Sequence, residues 1–378
     1  MASAGFTSPR VATLDWVAEF LKQELSPYPG RMVTVLRMVT ACVITMLLVL
    51  IFQLPNGFLA VFYALAISRQ DPQTTVRNGF AIILGNLAGL ALSVAGMALF
   101  IDHYLFHFLF VVGVFFLAFF VTRTLANYSV AFGFSIIVMA SASVNIIWAR
   151  TNPLRPDLAI TFWTGFGMIL GTFAVILTEW VFASPAAGAV ERPAQPQLLF
   201  VTDAFSNTEY VAFALKGCLA ATICYLVWSA LAWPGMGVCT VTCVIAAPLS
   251  TPGSSKQRLI TRLSGLLVGG VLCGIGSQIF ILPYVDSIVG FTLAFAAVSG
   301  AAAWAATSSV QFLYFGRQMA LAYYLAIFEG FGINSSLVMS RDRLMGVFLG
   351  IIVMWLVFDA AGKRTVAWNI PREAREAR

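Results

Sequence analysis

Apolar runs of about 20 residues recur along almost the whole chain, and this feature constrains the fold more than any other. Each run is long enough to cross a hydrocarbon layer that is roughly 30 Å thick. Hydrophobic residues make up 60% of the 378 residues and charged residues only 10%, and the mean hydropathy is +0.89. These values lie far from those of soluble domains. The sequence therefore predicts an all-α polytopic membrane protein with no sizeable soluble domain and no nucleic-acid partner.

An internal repeat runs through the apolar segments. Arg37 and Pro55 of the first half return 179 residues later as Lys216 and Pro234. Other identical or similar residues recur at a spacing of 180, namely Pro72 with Pro252, Gly85 with Gly265, Gly89 with Gly269, and Glu179 with Asp359. The repeat predicts about twelve transmembrane helices in two six-helix units. The predicted spans are 32–54, 57–69, 78–101, 104–121, 127–148, 158–182, 212–233, 235–249, 262–282, 287–306, 317–333 and 344–361.

The distribution of basic residues predicts the orientation. With the N-terminus inside, all of the 22 lysines and arginines are cytoplasmic except Arg150, Arg155, Arg341 and Arg343, as expected for cytoplasmic loops. Six spans per repeat give both repeats the same orientation, related by a pseudo-two-fold axis along the membrane normal. We therefore predict a multi-pass protein with both termini in the cytoplasm. Its predicted segments are a cytoplasmic amphipathic N-terminus (1–31), a first repeat (32–182), a linker (183–211), a second repeat (212–361) and a basic tail (362–378).

Two pairs of opposite charge occupy matching places in the repeats. Arg37 and Lys216 lie near the start of the first helix of each repeat, and Glu179 and Asp359 lie near the end of the last helix. A charge inside a bilayer costs about 3 kcal/mol or more and normally finds a partner or water. We expect ion pairs between Arg37 and Glu179 and between Lys216 and Asp359. The alternative is that all four side chains reach independently to the lipid headgroups.

Glu329 is the one carboxylate that is predicted well inside a span, in the stretch YLAIFEGFG. Burial favours the protonated form of a carboxyl group, which lets such a group carry a proton. The first repeat has Ala140 or Ser141 at the corresponding place, and this asymmetry suits a coupling site. Glu329 is therefore a proton-coupling candidate, with a capping or packing role as the alternative.

The second helix of each predicted repeat is unusually short. Short or broken spans at matching places of two repeats point to the binding region of a transporter. The helix in the second repeat runs into a polar turn, LSTPGSSKQR, where backbone amides and nearby cations predict an anion site. The alternative is that the cations are ordinary cytoplasmic loop charges. The candidates for contact with a substrate or anion are Thr240, Thr242, Lys256, Arg258, Arg123 and Arg317, the last two at the predicted starts of the fifth helices.

The sequence gives no support to an enzyme or to a bound cofactor, because it contains no recognisable nucleophile triad, phosphate loop or metal cluster. His103 and His107 lie four residues apart beside Asp102, near a predicted external helix end. A metal site needs at least one more ligand within reach. We interpret both histidines as interfacial side chains.

Five segments in collinear order resemble the fusaric acid resistance family, the aromatic acid exporters of bacteria, which also includes multidrug-resistance components. Many members carry a large cytoplasmic domain between the halves and another after the last span, whereas the predicted linker and tail are short here. We expect either a compact member or part of a longer gene. The resemblance covers about residues 19–361 and rests on FLKQELSPYPGR, FVTDAFSNTEYVAFALKGCLAATICYLVWSALAWPG, KQRLITRLSGLLVGG, YFGRQMALAYY and RDRLMGVFLGIIVMWLVFD.

The resemblance implies an efflux permease of the bacterial inner membrane. Such a permease expels aromatic acids or drugs together with a periplasmic adaptor protein and an outer-membrane channel. The family's Tyr-x-Gly-x-Gln pattern falls on Tyr314, Gly316 and Gln318, and its Arg-Asp-Arg pattern falls on residues 341–343. Tyr314 and Gln318 thereby join the candidates for substrate contact.

Three functions remain open from the sequence. We favour a proton-driven exporter of small anionic aromatic compounds, since one charge crossing the membrane is worth about 2.3 kcal/mol per 100 mV. The second function is an anion channel, because plant malate channels resemble the same superfamily. The third is a membrane scaffold that transports nothing and recruits the adaptor. A homodimer fits either transporting function.

Overall fold

The computed structural model describes residues 22, 24–68, 72–100, 103–142, 154–182, 199–247, 255–330 and 332–368. Almost all of these residues are helical. The strands in this part of the chain are Phe328–Glu329 (β1) and Gly332–Ile333 (β2), which pair as a small antiparallel hairpin. Most of the predicted N-terminal amphipathic segment, residues 183–198 of the predicted linker and the tail from residue 369 lie outside the described residues.

The helices follow the predicted apolar runs. The first half of the chain contains α1 (Arg31–Ile51), α2 (Gly57–Ile67), α3 (Pro72–Phe100), α4 (Tyr104–Thr124), α5 (Tyr128–Ala142) and α6 (Leu154–Val181). The second half contains α7 (Thr208–Leu231), α8 (Val238–Ala246), α9 (Ser255–Leu266), α10 (Gly276–Phe280), α11 (Ile288–Ala306), α12 (Val310–Ile327) and α13 (Leu337–Trp368). A 3-10 turn (Pro234–Gly237) precedes α8, and a π-helical segment (Leu267–Ile275) joins α9 and α10 into one continuous rod.

Eight helices of the described part of the chain are long and apolar enough to cross a membrane. Shorter apolar helices lie among them at Gly57–Ile67, Tyr128–Ala142 and Gly235–Ala246. Every residue of α2 is buried, so other helices surround it rather than lipid. The predicted fold class is confirmed at this level, because the chain is an all-α polytopic membrane protein. The eight long helices are α1, α3, α4, α6, α7, the α9–α10 rod, α11 and α13.

The helices of the two halves pack in matching pairs. In the first half, α1 contacts α2 and α6, α3 contacts α5 and α6, and α4 contacts α5. In the second half, α7 contacts α8 and α13, the rod contacts α12 and α13, and α11 contacts α12. Between the halves, α2 packs on α12 just as α8 packs on α5. The halves also meet where α4 packs on α7 and where α1 packs on α11, so the two short helices form part of the interface between the halves.

Glycines let the third and fifth helices of each half approach closely. Gly89 on α3 faces the carbonyl oxygen of Phe134 on α5, and Gly269 in the rod faces the carbonyl oxygen of Met319 on α12. A β-carbon at Gly269 would lie 2.6 Å from the α-carbon of Met319, which is far inside van der Waals contact. Only glycine allows this spacing of the two backbones.

The segment before the first helix of each half is anchored on the other half. Arg31 is only 1% exposed, and its guanidinium donates to the carbonyl oxygen of Trp304 and to Oγ1 of Thr307, the latter at 3.1 Å. On the other side, the amide of Val201 donates to the carbonyl oxygen of Thr124 at 2.9 Å. Each anchor holds the turn between the fourth and fifth helices of the opposite half.

Candidate functional site

A cavity of about 320 Å³ lies where the two halves meet. The helices α2, α3, α4 and α5 line it from the first half, and α8, α9 and α12 line it from the second half. We call it the Arg262 cavity. The polar and aromatic side chains that line it include Arg123, Arg262, Arg317, Gln318, Tyr128, Tyr314, Phe62 and Phe132.

Arg262 on α9 brings a buried cation to the cavity. The residue is 5% exposed, and its Nη1 donates to the carbonyl oxygen of Ile245 at 2.9 Å. Its Nη2 has no hydrogen-bond partner among the described residues. The guanidinium carbon lies 5.3 Å from the centre of the Tyr314 ring, within range of a cation–π contact. Because a buried donor without a partner is costly, Nη2 is available to a ligand that carries an acceptor.

Gln318 on α12 adds a second buried polar group. It is 2% exposed, and neither Nε2 nor Oε1 has a hydrogen-bond partner within the described part of the chain. A side-chain amide supplies two donors and one acceptor. The preceding residue, Arg317, donates from Nη2 to the carbonyl oxygen of Ala66 at 3.2 Å and so ties α12 to α2. The cavity therefore combines positive charge with unused hydrogen-bonding groups.

The walls of the Arg262 cavity are aromatic and lack acidic groups. Tyr128 and Phe132 of α5 place their ring centres 6.0 Å apart, and Tyr314 lines the cavity from α12. Arg123, in the last turn of α4, contributes a third guanidinium, which lies 4.5 Å from the centre of the Phe213 ring. Of the residues that the structure describes, no carboxylate lines the cavity. Three cations beside flat apolar walls favour a planar aromatic ligand with a negative charge.

A second cavity, of about 250 Å³, lies towards the opposite ends of the short helices. Arg343 of α13 lines it, and its Nη1 donates to the carbonyl oxygen of Leu325 at 3.2 Å. Asn56, which precedes α2, donates from Nδ2 to Oγ1 of Thr164 on α6 at 3.0 Å in the same wall. We call this the Arg343 cavity. It also lies between the two halves, because α2 and α6 line one side and α8 and α13 line the other.

About one helical turn of each short helix separates the two cavities. On α2, Leu59 lines the Arg343 cavity and Phe62 lines the Arg262 cavity. On α8, Val241 lines the Arg343 cavity and Ile245 lines the Arg262 cavity. Three or four residues of helix span about 5 to 6 Å. The two cavities therefore follow one another along the short helices, and we call the helical turn between them the closing layer.

Four of the predicted contact residues line the Arg262 cavity, and four do not. Thr240 and Thr242 are fully buried on α8 and donate to the carbonyl oxygens of Gly237 at 3.0 Å and Val238 at 2.9 Å. Their hydroxyl groups are therefore used by the backbone of their own helix. The residues that line the Arg262 cavity are Arg123, Arg317, Tyr314 and Gln318, and those that do not are Thr240, Thr242, Lys256 and Arg258.

The two remaining predicted cations lie near the start of α9. Lys256 is exposed to the surroundings of the protein, and Arg258 lines a small cavity of about 40 Å³ beside α13, which Arg262 also lines. The predicted anion-binding turn before them, residues 248–254, lies outside the described residues. Lys256 thus has the exposure that the alternative interpretation, an ordinary loop charge, requires, whereas Arg258 is half-buried.

The positions of Arg123 and Arg317 differ from the sequence-based expectation. Arg123 lies in the last turn of α4, and Arg317 lies two turns inside α12, rather than at the starts of the fifth helices. The reason is that α5 begins only at Tyr128 and α12 begins already at Val310. This arrangement brings both guanidinium groups to one cavity from two different halves.

The two predicted ion pairs differ in the structure. Nη1 of Arg37 and Oε2 of Glu179 lie 2.6 Å apart, and both side chains are buried, at 5% and 1% exposure. Lys216 and Asp359 are both half-buried, and no ion pair joins these two described residues to each other. Asp359 interacts with a group other than Lys216. Because these two side chains keep part of their exposure, neither charge depends on the other for compensation.

Glu329 lies outside the helix in which it was predicted. The helix α12 ends at Ile327, and Glu329 belongs to β1, opposite Gly332 in the hairpin. Its side chain is half-buried rather than buried in a span. Gly330 adopts a φ of 52°, a left-handed conformation that suits the turn of the hairpin and not a continuing helix. The predicted span 317–333 is therefore wrong at this end, and Glu329 is less buried than the proton-coupling hypothesis assumed.

Arg262 and Tyr128 are the site residues that reasoning from the sequence missed. Arg262 follows Ile82 by 180 residues, and both residues line the same cavity. Comparison of the two repeats could have found Arg262, because it is a charged residue at the position where the first repeat has the apolar Ile82. The contribution of Tyr128 has no such signal, because it depends on how α5 packs against the second half.

Comparison with known proteins gives a partial match. Over 182 residues the chain is 34% identical to the multidrug resistance protein MdtO of Shigella flexneri, and to the proteins of that name from Escherichia coli O157:H7 and Escherichia coli strain K12. The matched region is 48% of this chain and 26% of each relative, so it spans about a quarter of their length. No protein-family profile matches the chain. No solved structure matches it either.

The comparisons and the helices agree on the class of protein. The long apolar helices require a bilayer, and the relatives carry the name of a multidrug resistance protein. The chain is thus a multi-pass membrane protein that is similar, over about half of its length, to a multidrug resistance protein.

Proposed function

We propose that this protein is an efflux permease of the fusaric acid resistance and aromatic acid exporter family. It exports small aromatic acid anions or related drugs across a bacterial inner membrane, driven by protons. The Arg262 cavity is the observation that carries the proposal, because its one buried and two half-buried cations, its unused polar groups and its aromatic walls match such a ligand. The similarity to multidrug resistance protein MdtO supports the same class of function.

We infer that twelve membrane segments form two repeats with a pseudo-two-fold axis along the membrane normal. The matching helix pairs in the two halves support this arrangement. With both termini in the cytoplasm, the Arg262 cavity opens inward and the Arg343 cavity opens outward. The substrate then enters at Arg262, passes the closing layer between α2 and α8, and leaves beside Arg343.

A periplasmic adaptor protein and an outer-membrane channel are the proposed partners, and a homodimer fits the same membrane arrangement. An anion channel is the competing function, since the line of two cationic cavities also suits passive flow. The two functions differ in energetics. An exporter concentrates its substrate against a gradient, whereas a channel only equalises the concentrations.

The proposal is tested by binding of naphthalene-1-sulfonate, a planar aromatic anion whose charge does not change with pH. The purified protein in detergent is titrated with the probe, and affinity is compared between the wild type, Arg262→Gln and Arg258→Gln. Arg258 is the matched control, because it lies one turn earlier on α9 and does not line the cavity. A hydrogen bond to a charged group contributes about 1.5–3 kcal/mol, so Arg262→Gln should weaken binding about 10- to 100-fold.

The neutral analogue naphthalene-1-methanol separates charge recognition from apolar binding. It should bind weakly to the wild type and should be insensitive to Arg262→Gln. If Arg262→Gln binds the sulfonate as tightly as the wild type, the assignment of this cavity as the substrate site is wrong. In liposomes, accumulation of the sulfonate against a gradient supports an exporter, and simple equilibration supports the channel.

A further inference from the structure

His107 lies in the first turn of α4, where the sequence led us to expect an interfacial side chain. It is instead only 3% exposed. Its Nδ1 has no hydrogen-bond partner among the described residues. Imidazole is the side chain whose ordinary protonation equilibrium lies near neutral pH. A buried imidazole with an unused ring nitrogen is therefore a candidate site for a transferable proton.

A small cavity of about 10 Å³ adjoins His107. Ser93 of α3 and Ser141 of α5 line it together with apolar side chains. This volume is about that of one water molecule, and a buried water needs two to four polar partners. The ring nitrogen and the two serine hydroxyls provide that number. The small cavity is therefore suited to a single bridging water.

Ser141 connects the small cavity to the Arg343 cavity, because it lines both. Its hydroxyl donates to the carbonyl oxygen of Ile137 at 2.7 Å, which leaves the serine oxygen available as an acceptor. A second link runs through Thr161 of the Arg343 cavity, whose Oγ1 donates to Sδ of Met97 at 3.6 Å, and Met97 lines the small cavity. Ser141 and the contact between Thr161 and Met97 therefore connect the wall of the Arg343 cavity to the small cavity that His107 lines.

Few titratable groups surround His107 in the described part of the chain. No charged side chain lines the small cavity in the described part of the chain. The helix α7 also packs on α4. It presents two weakly acidic groups to α4, the thiol of Cys218 beside Val112 and the phenol of Tyr225 beside Phe115. The polar and titratable groups on the elements around His107 are Ser93 of α3, Ser141 of α5, Cys218 and Tyr225 of α7, and His103, the residue that precedes α4.

The fully buried carboxylates of the described residues are less suited to carry a transferable proton. Glu179 is held by Arg37 at 2.6 Å, and Asp342 is held by Arg341 at 2.8 Å. Each of these carboxylates is already engaged by a guanidinium group. His107 has no such partner and lies next to the proposed substrate route.

We propose that His107 is the proton-coupling residue of this protein. It takes up a proton from the external side through the Arg343 cavity and the adjoining water site, and it releases the same proton inward as an aromatic anion moves outward. One ring nitrogen gains and loses one proton, so the step needs no further reactant. The proposal rests on the exporter function proposed above.

Accumulation of naphthalene-1-sulfonate in liposomes tests the proposal, with the membrane potential clamped at zero and a pH gradient imposed. In exchange for one proton, the wild type should concentrate the probe in the more acidic compartment about tenfold per pH unit. His107→Gln should only equilibrate the probe, while it still exchanges labelled for unlabelled probe at equal pH. The matched control His103→Gln should accumulate the probe like the wild type. A His107→Gln variant that still accumulates the probe overturns the assignment.

A second measurement does not depend on transport. The chain contains two histidines, so His103→Gln leaves His107 as the single histidine for nitrogen-15 NMR of the folded protein. Its ring resonances should titrate reversibly between pH 5 and pH 9, and Ser141→Val should slow the exchange of the ring proton by blocking the route. A resonance that stays constant over this range contradicts the proposal even if a His107 variant fails to fold. If the wild type does not move the probe at all while His107 titrates, the exporter function fails separately.

Discussion

Breaking the Arg37–Glu179 ion pair from one side should destabilise the protein by about 3–5 kcal/mol. The two charged atoms lie 2.6 Å apart, and neither side chain is more than 5% exposed. At an effective dielectric constant of about 20, opposite charges about 4 Å apart attract by about 4 kcal/mol, which agrees with that range. Arg37→Gln and Glu179→Gln should therefore each be costly, because each leaves a buried charge without its ion-pair partner.

The double variant Arg37→Gln/Glu179→Gln should cost less than the sum of the two single variants by about 2 kcal/mol or more, since it leaves no lone charge. The free energies of unfolding are measured by denaturant titration in mixed micelles with circular dichroism. The matched control is the cycle Lys216→Gln and Asp359→Asn, whose effects should add, because these two side chains do not pair with each other. Additive losses in the Arg37–Glu179 cycle would refute the reasoning.

Three further outcomes are expected. Gly269→Ala should lower thermal stability because its methyl group would meet the backbone of α12, whereas Gly113→Ala, with no atom within 4 Å of the new methyl group, should raise stability by up to about 1 kcal/mol. Glu329→Gln should leave probe accumulation under a pH gradient unchanged, and a loss of accumulation would restore the hypothesis drawn from the sequence. Arg31→Gln should speed hydrogen–deuterium exchange in residues 304–309, which its guanidinium holds, and unchanged exchange would show that the anchor is unimportant.

The sequence predicted the membrane class and the position of most helices because the bilayer imposes one strong length and polarity requirement on every span. The short helices α2 and α8 were also predictable, since Pro55 and Pro234 interrupt the apolar runs at matching places. Arg123 and Arg317 were found as candidates from charge alone. Their meeting in one cavity depends on the packing of α2 against α12, which a linear pattern does not contain.

The parts that the sequence did not predict depend on single local or tertiary features. The end of α12 is set by a turn at Gly330, so Glu329 leaves the helix although the apolar run continues around it. His107 was assigned to the interface from its place near a helix end, and its burial comes from α3 and α5 closing over it. Hydropathy describes how apolar a segment is, but it does not describe which neighbour covers each side chain.

The central claim is that an aromatic anion leaves the cell through the Arg262 cavity. The most direct test is the accumulation of radiolabelled 1-naphthoate in efflux-deficient bacterial cells that produce the wild type, Arg262→Gln or Arg258→Gln at equal membrane levels. The account predicts low accumulation with the wild type and Arg258→Gln, and accumulation equal to that of cells without the protein with Arg262→Gln. Equal accumulation in cells with the wild type and in cells without the protein, or full export by Arg262→Gln, would contradict it.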